Sequence, residues 1–182
     1  MLIVYLIILV SFIIIVLIFS SKRFSPIPYF PSQKTDVPLI VKALNLKNNQ
    51  TVFDLGAGDG IIIFSAAHES LQKKLDTKFI AVEINPILLL ILYLRRLLHP
   101  NKKNIKIIRE DIFTLNFSSL TTNYLLLTTI YLYISPWYLE KTISNLKGQI
   151  PKFSVVSYMY PIKSLKNKEK KIQGKNSIFV YR

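Results

Sequence analysis

Apolar residues fill Leu2 to Phe19 with only Ser11 interrupting, and no charged side chain occurs from Met1 to Ser21. A helix of eighteen or more apolar residues crosses the hydrocarbon core of a bilayer with its backbone polar groups paired internally. A cleaved signal peptide would want a basic start, a shorter apolar stretch and a small-residue cleavage site. This segment lacks all three, so it reads as an uncleaved transmembrane anchor. Lys22 and Arg23 follow at once, and basic residues beside a span stay on the cytoplasmic side. The expectation is a single-pass protein with its remaining chain facing the cytoplasm.

Beyond the anchor the pattern alternates. Ser25-Pro-Ile-Pro-Tyr-Phe-Pro-Ser32 is an extended connector, because proline disfavours helix in the residue before it. Helical spacing over 37–46, 61–75, 86–98 and 136–146 is separated by strand-like apolar runs at 51–55, 78–83, 105–108, 123–133 and 153–160. The continuous apolar run at 123–133 suits a strand covered on both faces. The tail holds a basic stretch over 163–171 and then a hairpin, 171–173 with 177–181, turning near Gly174. Strand–helix alternation predicts an α/β, Rossmann-like, doubly wound and mostly parallel sheet. The hairpin adds an antiparallel end. The predicted organisation is an anchor over 1–21, a linker over 22–32 and a domain over 33–182.

Composition narrows the chemistry. Of 182 residues, 51% are hydrophobic and 19% charged, which excludes a disordered chain. The absence of cysteine excludes a disulfide scaffold, a Cys-based zinc site and a catalytic thiol, and two histidines make no histidine-rich metal centre. No metal site is expected. The net charge of +14 invites nucleic acid or anionic lipid. Lys, Ile and Asn dominate much of the chain, however, and such a bias produces the same excess. Nucleic acid is therefore not the expected partner.

Three of the five glycines fall in Phe53-Asp-Leu-Gly-Ala-Gly-Asp-Gly60, at the end of the first core strand. Ligands of open parallel sheets bind beyond the carboxyl ends of the strands. A dinucleotide fingerprint, G-x-G-x-x-G, would place its third glycine where Ile61 stands. The pattern is instead G-x-G-x-G, led by Asp54, which suits a ligand without phosphates. Asp54 and Asp59 would repel a phosphate and hold a cation. Glu83 ends the second strand, a place from which a carboxylate accepts both hydroxyls of a ribose. Asp111 follows the third strand, where it can accept from an adenine amino group.

Asp54-Leu-Gly-Ala-Gly-Asp-Gly60, Val82-Glu-Ile-Asn-Pro86 and Glu110-Asp-Ile-Phe113, in that order, resemble the S-adenosylmethionine sites of class I, seven-strand methyltransferases. Pro28-Tyr-Phe-Pro-Ser32, Tyr131-Leu132 and Val155-Val-Ser-Tyr158 are similar to a membrane-anchored group within that class. It contains the lysine methyltransferases of the ATP synthase c-subunit and the adenine nucleotide translocase. The turn Leu146-Lys-Gly-Gln-Ile-Pro151 is a loose version of that group's, and the tail lacks its tryptophan.

The resemblance implies S-adenosylmethionine held by Asp54, Gly56, Ala57, Gly58, Gly60, Glu83, Ile84, Asp111 and Ile112. Pro31 and Ser32 would sit at the methionine end. Tyr131 would line the methyl-transfer pocket, and Tyr29 and Phe30 would close over it. Tyr133 and Trp137 are lesser candidates for the same pocket, with core packing the favoured reading of both. The implied activity is methylation of a lysine in a protein substrate, such as a membrane protein. The alternatives are a lipid, small-molecule or nucleic-acid acceptor, or a non-catalytic membrane-tethered nucleotide-binding module. Base-methylating enzymes commonly carry Asn/Asp-Pro-Pro-Tyr after strand four, where this chain has Thr128-Thr-Ile-Tyr131.

Overall fold

The first core strand, β1 (Gln50–Leu55), is buried along its whole length, and its side chains alternate between two apolar clusters. Val52 packs into one with Phe79, Ala81 and Tyr131, while Phe53 and Leu55 pack into the other with Ile80, Val82 and Ile130. A strand that feeds both clusters must lie inside a sheet covered on both faces. The computed structural model describes residues 1–117 and 127–182.

Seven strands form one sheet in the order β3-β2-β1-β4-β5-β7-β6. The parallel part is β1, β2 (Thr77–Glu83), β3 (Ile105–Arg109), β4 (Thr128–Leu132) and β5 (Phe153–Tyr158). The hairpin of β6 (Glu169–Gln173) and β7 (Ser177–Tyr181) adds β7 antiparallel to β5. This is the expected class of sheet. The fourth strand differs in extent: its described part is 128–132, and residues 123–126 of the predicted run lie outside the described residues. The hairpin's first arm begins at Glu169, because a 3-10 turn over Lys163–Lys168 ends there.

Helices α2 (Val37–Leu44), α3 (Ile61–Gln72) and α4 (Pro86–Leu98) cover the face that holds Val52, and α5 (Pro136–Gln149) covers the other. Helix α3 stops three residues short of its predicted end, where Lys74 adopts a left-handed φ of 53°. Pro86 stands in the first turn of α4, and the Asn85 side chain accepts from the amides of Ile87 and Leu88, so this helix starts where the sequence caps it. Helix α1 (Leu2–Ser20) is apolar all round, buries no residue and touches α4.

Candidate active site

Strand order reverses between β1 and β4, and that switch point is where the site lies. Alternation puts Asp54, one residue from the end of β1, on the same face as Val52, opposite Tyr131 in the β1–β4 register. Glu83 follows Phe79 and Ala81 on that face at the end of β2. The three side chains converge on one open cavity.

The glycine loop forms the cavity floor. Its first amides, of Gly56 and Ala57, donate to the Val82 carbonyl at 3.0 and 2.9 Å, which ties the loop to β2. Glu83 fixes the next part: Oε2 accepts from the Gly58 amide at 2.8 Å, and Oε1 accepts from Ile84 and Asn85 at 2.8 and 2.9 Å. A carboxylate offers about four acceptor sites. Three are taken by backbone amides. Burial raises the Glu83 pKa, and the three amides only partly offset that.

Gly58 has φ +58°, and a Cβ there would lie 2.6 Å from the Tyr29 ring. The connector thus folds back over the loop, and its segment from Ser25 to Ser32 forms one wall of the cavity. Tyr29 lines the cavity. Burial, then the charge of Asp59 and a hydrogen bond to it, push the Tyr29 phenol up to about 12. Pro31 and Phe30 share this wall, with Phe30 largely exposed. Ser32 Oγ lies 2.9 Å from Tyr131 Oη, both buried.

Burial drives the Tyr131 hydroxyl well above its ordinary pKa, with Asp54 adding to it and Ser32 opposing. Tyr131 lines the cavity beside Ser32. Burial, then the charges of Glu83 and Asp59, raise Asp54 strongly as well. Ile84, Asp111 and Ile112 complete the far end, where Asp111 Oδ1 accepts from Phe113 N at 2.9 Å.

Several expectations change. Gly60 does not line the cavity: its left-handed φ of 77° turns the chain into α3, and a Cβ there would strike Leu92 and Phe64. Its role is close packing against α4. Asp59 lines the cavity but is already paired, because Arg95 Nη1 donates to its Oδ2 at 2.9 Å and to its carbonyl at 2.6 Å. Trp137 is 86% exposed, neither core nor cavity wall. Tyr133 lines the cavity and donates to Met159 Sδ at 3.0 Å. Sequence reasoning missed Arg95; its only signal was the excess of basic residues at the end of an apolar helix. It also missed Ser25 to Ile27, whose proline-rich run gives extension but no destination.

The cradle fits an adenosyl group with a cationic centre. Glycines permit close backbone approach, acids stand at three strand ends, and two tyrosines lie at the β4 end. The family model for ribosomal RNA adenine dimethylase matches residues 29–170. The chain belongs to this family. A search of the curated proteins found no match. Among solved structures, an RNA methyltransferase from Salinibacter ruber, in complex with S-adenosyl-L-homocysteine, is similar at 19% identity and a TM-score of 0.67. The match covers 84% of this chain and 92% of that one. The ribosomal RNA methyltransferase AviRa from Streptomyces viridochromogenes has 13% identity and a TM-score of 0.58, covering 91% and 89%. A precorrin-6y C5,15-methyltransferase from Geobacter metallireducens has 13% identity and a TM-score of 0.57, covering 84% and 91%. These structures share the fold, and the family membership rests on the matched residues. The family match leans against the sequence reading, which set nucleic acid aside on the compositional origin of the charge and on the missing Asn/Asp-Pro-Pro-Tyr.

Proposed function

We propose that this protein is an S-adenosylmethionine-dependent methyltransferase whose acceptor is a nitrogen in RNA, an adenine amine first among them. The observation that carries the reading is the convergence of Asp54, Glu83, Asp111, Tyr29 and Tyr131 on one open cavity in a chain of this family. When bound, the cofactor supplies an electrophilic methyl group on a sulfonium. Glu83 would accept from the ribose and Asp111 from the adenine amino group. Asp54 would sit near the positive centre, whose charge favours the ionised carboxylate that burial disfavours. Tyr29 and Tyr131 present ring faces that attract a cation and exclude water. These residues would hold the donor methyl in line with the acceptor nitrogen, whose displaced proton would pass to solvent. The enzyme's main contribution would be alignment of donor and acceptor.

A lysine amine in a protein is the second reading. It is favoured by the segment Leu132-Tyr-Ile-Ser135, which places no Asn or Asp after β4 to accept from a base amine. A lysine needs only to be made neutral, which an apolar pocket does. Helix α1 is long and apolar enough to cross a membrane, and four residues separate its last, Ser20, from the cavity wall at Ser25. We read it as an anchor that holds the site near a cytoplasmic membrane surface. The test incubates the full chain in detergent with methyl-labelled S-adenosylmethionine, total RNA and membrane protein. Label that nuclease removes supports RNA; label that only protease removes replaces it with the lysine reading. Label in extracted lipid refutes both. Fractionation with the mass of the mature chain tests the anchor, which a shortened soluble product would exclude.

A further inference from the structure

Helix α4 is buried on one side only. Leu88, Leu89 and Leu92 face the sheet, whereas Leu90, Tyr93, Leu94, Leu97 and Leu98 are 50–85% exposed. Their spacing of i, i+3, i+4, i+7 and i+8 makes one continuous stripe along the helix. An apolar face of this kind, rimmed by polar residues, marks a surface that meets something apolar.

Two further features select the occupant. Helix α1, which buries none of its own residues, touches α4, so the stripe continues an apolar surface already suited to lipid. From Asn85 to Arg109 there are six basic residues and no acidic one, and Lys102 and Lys103, just beyond the stripe, are exposed. Basic residues beside an apolar helix face suit anionic headgroups, and a tyrosine on that face suits the interface. An RNA partner would use the cations but leave four leucines uncovered.

We infer that the outer face of α4 lies in the interfacial layer of an anionic bilayer, as a second membrane contact beside α1. The inference rests on the anchor reading above. Its consequence reaches the site. The inner face of α4 presents Leu92 against Gly60, and Arg95 holds Asp59, so the helix that meets the membrane also braces the glycine loop.

The chain has no cysteine, so single cysteines introduced into the full chain carry a nitroxide label at chosen positions. Leu9→Cys, Leu94→Cys and Leu97→Cys are compared with Lys170→Cys, an exposed position on β6. The proteins are reconstituted in vesicles of phosphatidylcholine and phosphatidylglycerol in equal amounts. Collision of each label with oxygen, which concentrates in lipid, is measured against collision with a polar nickel chelate. Oxygen dominates at Leu94 and Leu97 as at Leu9, though at shallower depth, and nickel dominates at Lys170. Nickel dominance at Leu94 and Leu97 with oxygen dominance at Leu9 overturns the inference and leaves the anchor standing. So does shielding from both reagents with spin–spin broadening, which means a second copy covers the face, or with immobilisation on adding RNA. Nickel dominance at Leu9 overturns the anchor and this inference together.

Discussion

Adding one methyl group at Gly58 tests the link between the connector and the glycine loop. In Gly58→Ala the new Cβ would meet Tyr29 Cε2 at 2.6 Å and Cδ2 at 2.9 Å, well inside the roughly 3.5–4.0 Å at which carbons pack. Two costs add. An L-residue at φ +58° bears about 1–2 kcal/mol of backbone strain, and forcing the ring aside costs about 1–3 kcal/mol more. The Tyr29→Ala background removes the second cost and leaves the first. A double-mutant cycle on thermal unfolding in detergent should therefore give a coupling of about 1–3 kcal/mol, with each kcal/mol worth about 2–4 °C for a chain of this size. Calorimetric titration should show weaker S-adenosylmethionine binding for Gly58→Ala, because the displaced ring no longer closes the wall. Equal destabilisation by Gly58→Ala in both backgrounds would refute the reasoning, since the glycine would then serve the backbone alone.

Three other outcomes follow from the same geometry. Asp54→Asn should raise the melting temperature of the ligand-free protein at neutral pH by a few degrees while abolishing cofactor binding by calorimetry. Burial raises the Asp54 pKa above its unfolded value. The stability linked to its proton is therefore complete below the ordinary carboxylate range and lost as pH rises through the folded value. The gain over wild type should accordingly vanish in acid, and a gain independent of pH would contradict it. Tyr131→Phe removes the buried hydroxyl beside Ser32 and should cost about 1–3 kcal/mol in denaturant unfolding; the companion Ser32→Ala in that background should cost little more. Asp36, 1% exposed, accepts from Tyr158 Oη at 2.7 Å and from the amides of Lys175 and Asn176. Burial pushes its pKa up, but these bonds outweigh it and hold it below 3.8. Asp36→Asn should destabilise by about 1–3 kcal/mol at neutral pH. That difference should shrink as pH falls through the folded Asp36 value, and a constant difference down to strong acid would count against the clasp.

The anchor-length helix, the alternating strands and helices, and the acids at three strand ends were all legible in the residue order. Each depends on a period or spacing along the chain: eighteen apolar positions, a period of two, a period near 3.6, a cap such as Asn85. The switch point and the convergence of Asp54, Glu83 and Tyr131 follow from those periods once the strands pair. Contacts between distant segments are different, because no local rule selects the partner. That Tyr29 lies on Gly58, that Arg95 pairs with Asp59, that Glu83 spends three acceptor sites on backbone amides, and that Gly60 serves packing were decided only when the chain closed on itself. The outward stripe of α4 belongs there too: the sequence shows an apolar helix, but which side meets the sheet depends on the registry of α3, β3 and α1 around it.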